Sequence, residues 1–388
     1  MELADNKTVQ RRDDIDWLRN LGILLLFPFH AARIFDYWEP NYIKNVDLSW
    51  GLSWFLSVSA YWFMPLLFLL AGLSSRYALE ARTGTQYIKE RFKRLFIPFL
   101  FGLFIIVPPQ AYLARLSQLG YVDNYLQFLK SYFVDFSDLT GYFGTFTPAH
   151  LWFILYLFII SMIALPVFLF LKSRHRKDHT RGGLGVLSNP VTVILMFIPL
   201  TLTEVLPAPG GKNPFYFLFI FILGYLICTN KKFQEIVDRL KFKAFIFLLC
   251  YVPLWFLLMF NNIGASDWAP ISILLAFIRN LAVWLTLIVI LGYGSKHLNF
   301  KVKLLPYMNE AAFPIYILHQ TVMMFVGFFI VRLQIGVIPK FLSIIIITFV
   351  ISLAIYEYLI RRIPVLGWLF GVKTKVSPHH IIKEEKAI

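Results

Sequence analysis

Ten stretches of this chain are apolar for long enough to cross, or nearly cross, a hydrocarbon core of about 30 Å, more than any soluble fold can bury. They read as residues 17–37, 52–73, 95–116, 151–171, 191–206, 215–228, 244–260, 271–293, 311–333 and 341–360, the fifth and sixth being short. Backbone in lipid must satisfy its own hydrogen bonds, and runs of this length without strand-like alternation do so as helices. The fold class expected is therefore an all-α integral membrane protein, a bundle of about ten transmembrane helices. The totals agree: of 388 residues 58% are hydrophobic and only 15% charged, far from the globular average. Forty Phe, 19 Tyr and 10 Trp suit helix packing and anchoring at lipid headgroups, so membrane lipid is the first partner.

A net charge of +15 invites a nucleic-acid reading, but the basic residues sit in short loops between apolar runs and make no contiguous basic face. No nucleic-acid partner is expected. Their placement instead orients the bundle. Of the 37 Lys and Arg, a ten-span arrangement leaves only Lys44, Lys130 and Lys212 in outer loops, with Arg33, Arg115, Arg279, Arg332 and Lys340 in or at the ends of spans. All others fall on inner segments, which puts both termini in the cytoplasm. Arg11-Arg12-Asp13-Asp14 precedes the first run and no small-residue cleavage site follows it, so that run reads as a retained helix. The expected division is a cytoplasmic segment over 1–15, one transmembrane domain over 16–361 and a cytoplasmic tail over 362–388. Cys228 and Cys250 lie in or beside apolar segments, which indicates neither a disulfide framework nor a metal site.

Ionisable groups at membrane depth are costly and mark functional positions. Arg19 and His30 bracket an almost wholly apolar stretch of the first helix, eleven residues or about three turns apart, so they share a face roughly 16 Å apart along the axis. His319 in the ninth span and Arg279 in the eighth reach a similar depth, roughly 20 Å from the inner surface at 1.5 Å per residue. His30 can act as general base or nucleophile, and the sequence leaves both open. A structural hydrogen-bonding role for either histidine is the plainer alternative. Lys89, Arg91, Lys93 and Arg94 crowd the inner approach to the third span, where they can bind phosphates or serve as an ordinary positive-inside anchor. Glu357 is expected to pair with Arg361 one turn on. Three further stretches read as interface packing or sites: Leu67 to Gly72 closing the second span, His150-Leu151-Trp152-Phe153 opening the fourth, and the long outer loop 117–150. That loop carries Asp123, Asp135 and Asp138 beside aromatic residues able to stack on sugar rings.

Taken in order, these motifs resemble the membrane-bound acyltransferase 3 family, and within it the branch of glucan biosynthesis protein C. Asp16-Trp17-Leu18-Arg19 with ten residues before His30 resembles the family's Arg-x10-His signature, and Arg91 with Arg94 its Arg-x-x-Arg element. His150-Leu151-Trp152-Phe153, Tyr316-Ile317-Leu318-His319 and Tyr356-Glu357 before Ile363-Pro364 follow in the family's order. Ala71-Gly72 departs from the usual Ser-Gly, so a hydroxyl is absent there. The resemblance implies an acyl-CoA donor on the cytoplasmic side, no metal, and an extracytoplasmic glycan or other hydroxyl acceptor. It makes His30 and Arg19 catalytic and sets Arg91 and Arg94 beside the donor. Arg279, His319 and Trp152 are then substrate-binding or oxyanion candidates. A transporter or flippase for an anionic substrate is the alternative, since mid-membrane Arg and His also mark permeation paths.

Overall fold

The computed structural model describes residues 12–120, 124–177, 185–228, 230–260 and 270–372, and among these every regular element is helical. The helices are α1 (Asp13–Ala32), α2 (Trp50–Glu80), α3 (Gly84–Leu119), α4 (Tyr125–Tyr132), α5 (Ala149–Arg174), α6 (Pro190–Val205), α7 (Pro214–Ile227), α8 (Lys231–Phe260), α9 (Pro270–His297), α10 (Leu305–Ile330), α11 (Val337–Ile360) and α12 (Pro364–Leu369). Asp123 and the terminal segments lie outside the described residues.

Each of the ten apolar stretches falls on a helix, but they differ in reach. Among the described residues six helices, α2, α3, α5, α9, α10 and α11, are long and apolar enough to cross a membrane, and α7 with α8 forms a sharply bent pair that passes the same test as a seventh. Helix α6 is short. Helix α1 has 20 residues, but Asp13, Asp14, Asp16, Arg19, Asn20 and His30 dilute its apolar content.

The described residues fall into two compact units. One is drawn from Met1–Glu39, Asp47–Arg91 and Leu155–Leu305, the other from Pro40–Val46, Phe92–Ile154 and Pro306–Ile388. In the first unit α2 and α7 approach backbone to backbone. A Cβ on Gly72 would stand 2.0 Å from the Phe221 carbonyl oxygen, and one on Gly224 would stand 2.2 Å from that of Leu69. Only glycine fits at that crossing. Helix α2 runs on to Glu80, so Gly72 lies within the helix and does not close it as its sequence suggested. Phe68 stacks on Phe217 at 4.5 Å and Phe168 on Tyr225 at 3.9 Å, filling the space on either side.

In the second unit α3 is interrupted by π turns at Phe92–Phe96 and Gly102–Ile106. Pro108 and Pro109 lack the N–H groups a regular helix needs there, and the Gln110 amide turns to Val107 at 3.0 Å. The Ile106 carbonyl is left over, and the Thr321 hydroxyl of α10 donates to it at 2.8 Å. Glu357 pairs with Arg361 at 2.9 Å, as the one-turn spacing implied. In the loop between α3 and α5, Asp135 and Asp138 cap turns: they accept from the amides of Ser137 (3.1 Å) and Thr140 (2.9 Å). Ser137 donates to Asp135 through both its hydroxyl and its amide, which holds that carboxyl below its usual 3.8. The Tyr132 hydroxyl donates to Thr147 at 3.2 Å, and burial pushes its pKa up to about 12.

Candidate active site

Three carboxylates, Asp13, Asp14 and Asp16, fill the first turn of α1, where the helix dipole favours negative charge. Asp16 lies 3.0 Å from the Arg19 guanidinium one turn on, and the arginine keeps about 30% of its side-chain surface exposed. Arg19 is thus oriented by an acid and still open to solvent. Eleven residues further along the same continuous helix stands His30, partly buried, with Phe29 edge-on to it at 5.4 Å and stacked in turn on Phe63 at 5.9 Å. Neither side chain can reach the other across about 16 Å, so only an extended ligand lying along α1 can meet both.

The end of α1 differs from expectation. Ile34 and Phe35 continue the apolar run, yet the helix stops at Ala32. Asp36 accounts for it: its side chain accepts from the Trp38 amide at 2.7 Å and forms an ion pair with Arg33 at 3.1 Å. Such an Asx turn offers the backbone a local alternative to another helical turn. His30 therefore sits in the last turn of the helix, 17 residues or about 26 Å past its start, deeper along α1 than the apolar run alone placed it.

Of the four cations before the third span, Lys89 and Lys93 face outward and the two arginines are partly buried. Arg91 donates to the Ser75 hydroxyl at 2.8 Å and lies over the Tyr87 ring at 4.8 Å, while Tyr87 donates to the same hydroxyl at 3.0 Å. Ser75, one turn beyond Ala71, thus supplies this part of α2 with a hydroxyl. Arg94, in the second unit, donates to the Gly371 carbonyl at 3.3 Å. Arg94 lies within the π turn at Phe92–Phe96.

Arg279 is held by Glu204 at 2.6 Å, with both side chains partly exposed, so a role on a developing oxyanion would require that pair to open. Its neighbour Asn280 is buried and accepts from Tyr216 at 3.1 Å. His319 is fully buried in the second unit and donates through Nδ1 to the Tyr316 carbonyl at 2.5 Å. Its ring centroid lies 4.9 Å from that of His150. His150 donates through Nε2 to the Ile317 carbonyl at 3.0 Å, the Tyr316 hydroxyl donates back to the His150 carbonyl, and His150 Nδ1 has no partner among the described residues. Sequence reading placed His150 in an interface stretch and did not count it as a site residue. Its position in an ordered motif was the available signal. Trp152 is partly buried at the start of α5, edge-on to Phe153 at 6.5 Å. No group of three or more His, Cys, Asp or Glu side chains among the described residues is arranged to hold a metal ion.

Long apolar helices with costly cations and imidazoles set along them define the class: a multi-pass helical membrane protein with chemistry-bearing groups inside its apolar segments. The profile of the acyltransferase 3 family, described as an acyltransferase domain, matches residues 12–357, and the chain belongs to that family. It is an acyltransferase. It is similar to proteins named Glucans biosynthesis protein C from Salmonella heidelberg (strain SL476) and Salmonella schwarzengrund (strain CVM19633), each 24% identical over 93% of this chain and 94% of the relative. The protein of that name from Salmonella paratyphi B (strain ATCC BAA-1250 / SPB7) is 25% identical over the same shares. No solved structure matches the chain.

Proposed function

We propose that this acyltransferase takes an acyl group, such as acetyl or succinyl, from acyl-CoA on the cytoplasmic side and passes it to a hydroxyl of an extracytoplasmic acceptor, a carbohydrate of the cell envelope. The reading places it in a bacterial plasma membrane, with ten spans over 16–361 and both termini, 1–15 and 362–388, in the cytoplasm. Family membership supports the transfer, the distribution of Lys and Arg supports the orientation, and the name of the relatives supports a glucan-like acceptor.

The observation that carries the reading is the placement of Arg19 and His30 on one face of α1, spaced for an extended ligand. Arg19, Arg91 and Arg94 meet the donor's phosphates, which guanidinium groups bind in bidentate fashion, and the thioester arm lies along α1 toward His30. His30 removes the proton of the acceptor hydroxyl as its oxygen attacks the thioester carbonyl. On collapse the carbon–sulfur bond breaks, and the imidazolium returns the proton to the leaving thiolate. In the second route open to it, His30 takes the acyl group itself and hands it to the hydroxyl. The apolar surroundings exclude the water that would hydrolyse the thioester. Arg279 stabilises the oxyanion once its pair with Glu204 opens, and Trp152 offers a face for a sugar ring.

Membranes carrying the His30→Ala variant at normal abundance should release no CoA thiol in the presence of acceptor, and Arg19→Ala should raise the donor KM. Full turnover in His30→Ala would reject the assignment.

A further inference from the structure

A cavity of about 560 Å³ in the first unit lies at the Asp13 end of α1, away from His30, and none of the roles above uses it. Its wall is the start of α8, with contributions from α1 and α9. Asn230 caps α8, its Oδ1 accepting from the Phe233 amide at 3.0 Å and its main-chain carbonyl accepting from the Gln234 amide at 3.2 Å. The N–H groups of Lys231 and Lys232 have no intrahelical acceptor, and a 30-residue helix directs its positive dipole end there.

Charges around the cavity are mostly matched. Arg12 holds Asp14 through two contacts, at 3.0 and 2.6 Å, and Lys241 holds Asp238 at 2.8 Å. Lys231 remains, exposed at the rim and without a carboxylate partner among the described residues. The second observation is independent of charge. Asn230 is 94% buried, since only 6% of its surface is accessible, and its Nδ2 has no hydrogen-bond partner among the described residues. A buried amide donor without an acceptor is costly unless something fills the role.

Donors dominate the unfilled capacity: one amide, two backbone N–H groups and an ammonium. They call for an acceptor-only anion, and a helix N-terminus suits a phosphoryl group in particular. The cavity is far larger than bare phosphate and lies in the range of sites that hold a nucleotide-sized ligand. We propose that this cavity is a phosphoryl subsite in which Asn230, Lys231 and the first turn of α8 hold the phosphate of a larger ligand, the ribose phosphate of the acyl-CoA donor. The site stands on its own geometry; its assignment to the donor rests on the donor reading above. A phospholipid headgroup is the other source of the same chemistry.

The test uses the full-length protein in lipid nanodiscs, with calorimetric titration of CoA and of 3′-dephospho-CoA. Wild type should prefer CoA by about tenfold, the worth of one charge-assisted contact. Asn230→Asp, which keeps the helix cap but replaces the donor by an anion, and Lys231→Glu should abolish that preference. Lys243→Glu, the same charge change on the same helix outside the cavity, should keep it. If both ligands bind equally while the two cavity variants lose co-purified phosphatidylglycerol, the subsite stands with a lipid source and the donor assignment falls. If wild type binds no CoA at all and retains lipid through this cavity, the donor reading itself fails and the subsite survives. Unchanged CoA preference and unchanged lipid retention in both variants would overturn the proposal.

Discussion

His150 and His319 lie with ring centroids 4.9 Å apart in the second unit, and each donates a ring nitrogen to a main-chain carbonyl of α10. A carbonyl can only accept, so each ring carries a proton on the bonded nitrogen. The pair also ties the start of α5 to the middle of α10. His150→Ala should cost about 2–4 kcal/mol, combining a lost buried hydrogen bond with the cavity left behind. His150→Phe, which fills the space and removes only the hydrogen bond to the Ile317 carbonyl, should cost less. Thermal unfolding in detergent measures both, and equal losses in the two variants would show that the hydrogen bond dominates.

The crossing of α2 and α7 leaves no room for a side chain. Gly72→Val should prevent folding or lower stability by more than about 4 kcal/mol, because the clash is with backbone and no side chain can swing away. Gly51→Ala, where a Cβ meets nothing nearer than 3.7 Å, should be tolerated. Monodisperse recovery on size-exclusion chromatography separates the outcomes.

Thr321 satisfies the carbonyl that the π turn of α3 sets free. Thr321→Val keeps the volume but leaves Ile106 without its donor, and should cost about 1–3 kcal/mol. Thr321→Ser, which retains the hydroxyl, should lie closer to wild type in the same unfolding assay.

The exposed Asp135 turn provides a pH signature. Its folded carboxyl titrates below its ordinary 3.8, so its contribution is present above that value and is lost as pH falls through the folded pKa. Protection of the Ser137 amide, measured against its intrinsic exchange rate at the same pH, should therefore fall only below about pH 4. Asp135→Asn should remove most of that dependence, and a transition near neutrality would contradict the assignment.

What the sequence made legible follows from interactions that are local or set by the solvent. Lipid demands long apolar helices, so α2, α3, α5, α9, α10 and α11 are read from hydropathy alone. The Glu357–Arg361 pair is a matter of helical pitch. The spacing of Arg19 and His30 was legible for the same reason, but the end of α1 was not. Ile34 and Phe35 look like more helix until Asp36 takes the Trp38 amide. The contact between His150 and His319 depends on residues distant in the chain, which periodicity does not encode. Asn230 was likewise invisible as a ligand candidate, because its unfilled amide appears only once α1, α8 and α9 are assembled.

The most direct test is to follow the acyl group itself. Sealed vesicles of inverted orientation receive acyl-CoA labelled in its acyl carbon from the cytoplasmic side alone, and mass spectrometry reads the luminal envelope glycans. The account predicts label as hydroxyl esters on those glycans with wild type, and none with His30→Ala at equal abundance. Label transferred at an undiminished rate by His30→Ala, or glycans modified without acquiring label, would contradict it.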